Sequence, residues 1–155
     1  MHLTAHTDYA LRTLLVLGLS FPEKVTTAEI CATFQISENH LAKVVQNLAR
    51  LGYVETIRGK DGGLRLAQAA EHINVGMLVR QLERDLGVVP CLRADGEECF
   101  ITPVCSLKHI LREATESFLK HLDQFTLVDL LPGVGRGTNP LKRRLAERLL
   151  ILSVR

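Results

Sequence analysis

At 155 residues the chain can bury a sizeable core without disulfide support, and it suits one compact domain or a small domain with a dimerisation appendage. Hydrophobic residues make up 46% and charged residues 23%, which argues against a disordered or fibrous class, and no segment offers the run of about 20 largely apolar residues that a membrane helix requires. The net charge of +2 is too small to announce a nucleic-acid partner, so any basic footprint must come from local clustering.

The first periodic segment runs from about Thr7 to Ser20, with Leu11, Leu14, Leu15 and Leu17 at helical spacing and Phe21-Pro22 as its stop. Asp8 and Arg12 stand within this stretch, and neither a basic leader nor a cleavage site frames the apolar run. The expectation is a cytoplasmic chain with reduced thiols. A second helix opens at Thr26, where Glu29 completes a capping box, and runs to about Phe34. The turn Gln35-Ile36-Ser37 leads to a third helix, in which Leu41, Val44, Val45, Leu48 and Leu51 form one apolar stripe.

The other face of the third helix carries Asn39, His40, Lys43, Gln46, Asn47 and Arg50, side chains suited to phosphates and base edges. Any amphipathic helix needs a polar face, so the next segment of the chain decides between the two readings. Tyr53 to Arg58, the glycine-rich Gly59-Lys60-Asp61-Gly62-Gly63 and Leu64 to Ala67 read as strand, turn and strand, a hairpin tipped by Arg58 and Lys60. Between Asn39 and Arg65 five Lys or Arg face two acids, so the weak overall charge conceals a basic surface that favours backbone phosphates. This is a winged helix-turn-helix, with Thr26, Ser37, Asn39, His40, Lys43, Gln46, Arg58 and Lys60 as candidate contacts to double-stranded DNA.

Ile73 to Leu86 predicts a packing helix through Val75, Leu78, Val79 and Leu82. The loop after it holds Cys91, Cys99 and Cys105 at spacings of eight and six residues. A polar loop of this kind can fold round an inorganic core and point thiolates inward, as iron-sulfur clusters require, leaving one iron short of a protein thiolate. Zinc on three cysteines plus one further ligand competes, although the tight cysteine pairs usual in structural zinc sites are missing, and redox thiols are a third possibility. Cys31, on the second helix, reads as a core residue. Thr102 and Pro103 predict the cap and first turn of a long helix containing Cys105, whose dipole favours an anionic group. Val104, Leu107, Leu111, Ala114, Phe118, Leu122 and Phe125 approach a heptad seam, the mark of a dimerisation helix.

Thr126 to Asp129 forms a capping box for a short helical turn, Leu131 to Thr138 reads as a linker, and a final basic helix begins after Asn139-Pro140. The fold class is therefore mainly α with a small β-hairpin wing: a winged-helix unit at 1–70, a thiol loop and dimerisation helix at 71–131, and a linker and terminal helix at 132–155. An enzyme is not expected, since no phosphate-cradling loop or nucleophile–base pairing occurs, and the glycines at 59, 62 and 63 belong to the hairpin tip.

Leu3-Thr4 with Thr7-Asp8-Tyr9-Ala10-Leu11-Arg12, Ile57 before Arg58-Gly59-Lys60-Asp61-Gly62-Gly63, the three cysteines, and Phe125-Thr126-Leu127-Val128-Asp129-Leu130 together resemble the small winged-helix iron-sulfur repressors to which NsrR and IscR belong. The likeness covers Leu3 to about Leu131, and Ile101-Thr102-Pro103-Val104-Cys105-Ser106-Leu107-Lys108 is similar to the nitric-oxide-sensing branch. The resemblance implies a homodimer that binds palindromic operators while it holds a 4Fe-4S cluster. It further implies Cys91, Cys99 and Cys105 as ligands from one subunit, with Asp8 reaching across as the fourth. A surface ion pair with Arg12 is the plainer role for Asp8. The IscR-like branch places a histidine three residues after the last cysteine; here that position is Lys108, with His109 one step later, and the interval from Cys91 to Cys99 is longer than in some relatives. A zinc-binding or thiol-redox regulator, or a cluster sensor of iron or oxygen, remains the competing reading.

Overall fold

The computed structural model describes residues 2–59, 62–93, 96 and 99–131, so the expected linker and terminal helix at 132–155 lie outside the described residues. Helix α1 spans Ala5–Ser20, α2 Thr27–Phe34 and α3 Glu38–Arg50; strands β1, Val54–Ile57, and β2, Gly63–Leu66, pair antiparallel with Val54 opposite Leu66 and Ile57 opposite Gly63. Then come α4, Val75–Leu82, α5, Ser106–Leu122, and α6, Leu127–Leu130. None of the described helices is long and apolar enough to cross a membrane.

The helix starts are built by side-chain caps. Thr4 Oγ1 accepts from the Thr7 amide, Thr26 and Glu29 form the complete capping box of α2, and Ser37 Oγ accepts from the His40 amide at the head of α3. Between α2 and α3, Gln35 takes a left-handed conformation at φ 55°, letting the Ile36 amide bond back to Cys31. Gly52, at φ 79°, ends α3 and turns Tyr53 back to the Leu48 carbonyl. Val25 exchanges two backbone hydrogen bonds with Leu64, tying the approach to α2 onto the hairpin.

One core unites these parts. Ala10, Leu14, Val16 and Leu17 of α1 meet Ile30 of α2, Leu41, Val44 and Leu48 of α3, Leu64 and Leu66 of the hairpin, Leu78 and Leu82 of α4, and Leu127 of α6. Helix α1 packs against α3, α4, α6 and β2, which makes it the common wall of the molecule.

The structure corrects three expectations. Helix α4 is shorter than Ile73–Leu86 because Asn74 caps it, accepting from the Met77 amide at 2.9 Å, and because Glu83 leaves the helix in an extended conformation toward Thr4. Thr102 and Pro103 form a separate 3-10 turn, Thr102–Val104, so Cys105 is the cap residue of α5 and does not lie in its opening turn. The apolar stripe of α5 is divided. Leu119 is buried and Leu111, Phe118, Leu122 and Phe125 are half-buried, whereas Val104 and Leu107 are 83% and 59% exposed, as is Ile110 at 60%. From Leu111 onward the stripe, Ala114 excepted, is at least half-buried, and α5 packs on α4 and on the 3-10 turn Pro90–Leu92.

The junction of α4 and α5 relies on Gly76. A Cβ there would strike Asp123, whose carboxylate is gripped by both guanidinium nitrogens of Arg80, and whose carbonyl accepts from Asn74. The Arg80 hydrogen bond holds the Asp123 carboxyl below its ordinary value; the clamp therefore contributes above the unfolded pKa and is lost as pH falls through the lowered folded value. Gly76→Ala is expected to destabilise by about 1–3 kcal/mol through overpacking, read as a lower urea midpoint. An unchanged midpoint would show that this contact does not limit the packing.

Candidate DNA interface and thiol loop

Burial of Leu41, Val44, Val45 and Leu48 turns the opposite face of α3 outward, and Asn39, His40, Lys43 and Gln46 are all exposed there. The Thr26 and Ser37 hydroxyls serve first as caps: Thr26 Oγ1 donates to Glu29 Oε2 at 2.7 Å while accepting from the Glu29 amide. Both mark helix starts, where backbone amides and the dipole attract phosphate. Arg58 is exposed at the end of β1; Lys60 lies outside the described residues. Arg65 is spent on Glu55 across the hairpin at 2.8 Å. Helix α3 and Arg58 thus stand on one winged-helix unit held together by the shared core.

Two residues of the polar face have another task. Asn47 is half-buried; its Oδ1 accepts from Arg50 Nη2 at 2.9 Å and its Nδ2 lies 3.1 Å from His6 Nε2. Because Arg50 can only donate, the amide nitrogen is turned toward His6, so α3 is pinned to the start of α1 by a side-chain bond that periodicity does not reveal. The His40 ring also stands 6.4 Å from that of Tyr9 on α1.

The three loop cysteines are free thiols. Cys91 sits half-buried in the 3-10 turn Pro90–Leu92, which packs on α5; Cys99 is exposed; Cys105 is half-buried at the α5 cap. The Thr102 amide donates to the Cys99 carbonyl at 2.9 Å, joining Cys99 to the turn that ends at Cys105. Among the described residues no side chain caps α5 and no acid stands in its first turn, leaving the amides beside Cys105 with a favourable field for an anion. Among the described residues, no three His, Cys, Asp or Glu side chains converge in metal-holding geometry, so the loop supplies the donors without bringing them together. Its donor chemistry, three soft thiols in one loop with the last at a helix start, fits a thiolate-ligated group.

Cys31 differs. It packs against the core, and burial, with the Glu38 charge adding, pushes its thiol pKa up, the condition of an unreactive cysteine. Asp8 lies in the first turn of α1, gripped by Arg12 through Nε at 2.9 Å and Nη2 at 2.8 Å, with both side chains less than half exposed. Arg12 also lies 5.6 Å over the Phe34 ring. His109 contacts Arg112.

An amphipathic third helix, a basic hairpin and a single core define a winged-helix transcriptional regulator, a class without an enzymatic centre. Residues 3–133 match the model of Rrf2, described as iron-dependent transcriptional regulator, and the chain belongs to the Rrf2 family. It is 50% identical over 145 residues to the HTH-type transcriptional regulator NsrR of Geobacillus kaustophilus, spanning 93% of this chain and 99% of that one. Its identity to the NsrR of Bacillus subtilis is 48% over 132 residues, covering 84% and 90%. Among solved structures it is similar to CymR (YrzC), the global cysteine regulator of B. subtilis, at 26% identity and TM-score 0.62, covering 84% of this chain and 95% of that one. IscR of T. potens, at 24% identity and TM-score 0.66 with 84% and 85% covered, shares the fold.

If α3 enters the major groove and Arg58 meets a flanking phosphate, Lys43→Ala and Arg58→Ala should each weaken operator binding and reduce the salt slope by about one unit per lost phosphate contact. Wild-type affinity in both variants, across a salt series in an anisotropy titration, would contradict this assignment.

Proposed function

We propose that this chain is a cytoplasmic, homodimeric repressor that holds a palindromic operator while a 4Fe-4S cluster is bound, and releases it on exposure to nitric oxide. In this reading Cys91, Cys99 and Cys105 of one subunit and Asp8 of the partner subunit hold the cluster. The observation that carries it is the presence of three free thiols in one loop, the last of them at the α5 cap position, within a chain half-identical to a regulator named NsrR. When bound, the cluster supplies an iron atom open to attack by nitric oxide.

The chain's own residues account for the response. Residues 1–70 read DNA and residues 71–131 sense and pair. The exposed ridge of Ile101, Val104, Leu107 and Ile110 is the surface a second copy covers, since contiguous apolar exposure of this kind marks an interface. Asp8 has a ready alternative partner in Arg12, and a surface i,i+4 pair is worth only about 0.3–0.5 kcal/mol, so exchanging it for another bond costs little. Capturing Asp8 fixes the start of α1, and α1 bears on α3 through the core and through His6 and Asn47. Releasing Asp8 frees that helix start, and with it the spacing of two recognition helices over successive major grooves.

Purification without oxygen should give a brown protein with iron and acid-labile sulfide in equal amounts. Asp8→Ala should keep the cysteine-held cluster but change the course of a nitric oxide titration followed by absorption. Bound zinc with no sulfide would replace the cluster reading by a zinc one, metal-free protein would leave a thiol regulator, and an unchanged titration would remove Asp8 from the response.

A further inference from the structure

Glu83 is the residue at which the thiol loop meets the DNA-binding unit. It ends α4, is only 8% exposed, and the chain beyond it leads to Cys91. Its Oε1 accepts two hydrogen bonds from a single residue, from the Thr4 amide at 2.8 Å and from Thr4 Oγ1 at 3.1 Å. Thr4 is the cap of α1: its hydroxyl accepts from the Thr7 amide and its carbonyl from the Asp8 amide at 3.0 Å. Two residues on, His6 meets Asn47, which in turn orients Arg50. A continuous bonded path therefore runs from the root of the cysteine loop, through the α1 cap, to the last turns of α3. Thr4, His6, Lys43, Asn47, Glu83 and Arg84 border one cleft of about 680 Å³, so the carboxylate and the outer face of α3 adjoin the same space.

A buried carboxylate is costly unless its acceptors are used, and a well-satisfied one specifies a single arrangement. Glu83 joins segments 79 positions apart, tying the end of α4 to the cap of α1. We propose that Glu83 is a positioning residue, a latch through Thr4 that carries the state of the thiol loop to the recognition helix. This rests on the function proposed above for the loop, and it adds a residue that neither ligates metal nor touches DNA.

The test compares Glu83→Ala, which removes the acceptor of both bonds, with Glu83→Gln, which keeps an acceptor oxygen for Thr4. In cluster-free protein, amide hydrogen exchange of Glu83→Ala should quicken at residues 5–10 and 38–50 while 54–57 and 63–66 stay as in the parent. Glu83→Gln should match the parent throughout. Uniform quickening, or none in 38–50, overturns the latch. In cluster-loaded protein with an unchanged absorption spectrum, the ratio of operator affinities with and without the cluster should fall about tenfold in Glu83→Ala and recover in Glu83→Gln. A parental ratio in Glu83→Ala overturns the latch alone, whereas a parent showing no cluster dependence overturns the function reading and the latch together. Should Glu83→Ala fail to fold, Glu83→Met removes the acceptor of both Thr4 bonds while keeping the side-chain length, and it is expected to shift exchange in 38–50 in the same direction. No shift there counts against the proposal.

Discussion

The architecture depends on the burial of helix α1. Ala10, Leu14 and Val16 have no solvent exposure and Leu17 has 1%, and the helix they belong to bears on α3, α4, α6 and the second strand. Protein interiors are close-packed and yield little to continuous deformation, so a displacement of α1 is passed on rather than absorbed. That constraint gives meaning to the polar residues at its N-terminal end. Thr4, His6, Asp8, Tyr9 and Arg12 are bonded or stacked to α4, α3, one another or α2, and each is a point where a small event at the surface acts on a rigid body.

Electrostatics divides the molecule in a complementary way. Lys43 of α3 and Arg58 of the hairpin stand open on one unit, while the thiol loop ends at Cys105, the cap residue of a long helix that no described side chain caps. An open basic face and a set of free thiols thus occupy separate stretches of the chain. A chain in which occupancy of one place alters grip at the other needs a connecting element, and α1 is bonded both to Glu83, ahead of the thiol loop, and to α3 through His6 and Asn47.

Much of this arrangement was legible in the residues because local chemistry determined it. The Thr26–Glu29 box, the Ser37 cap, the stripe from Leu41 to Leu48 and the Thr126–Asp129 box each depend on partners three or four positions apart, and all appear as expected. The misread features depend on distant partners. Asn74, tied to the Asp123 carbonyl, caps α4 after the point where Ile73 seemed to begin it, and Glu83 leaves α4 early and is bonded to Thr4 across the fold. A stripe on α5 announces an apolar face without telling which half its own domain covers, and Ile110 joins the open half without belonging to the expected seam. Asn47 and Arg50 looked like part of the DNA face, yet Asn47 binds inward to His6. Spacing placed three thiols in one loop, but the path of that loop is a tertiary matter.

The central claim is that iron held by the loop thiols governs the grip on DNA, and its most direct test is paired. One anaerobic preparation is divided, half is stripped of iron by a chelator, and operator affinity is measured by fluorescence anisotropy in both halves at equal salt. The account predicts that the stripped half binds at least about tenfold more weakly, the size of an ordinary allosteric coupling. Equal affinity in the two halves would contradict it.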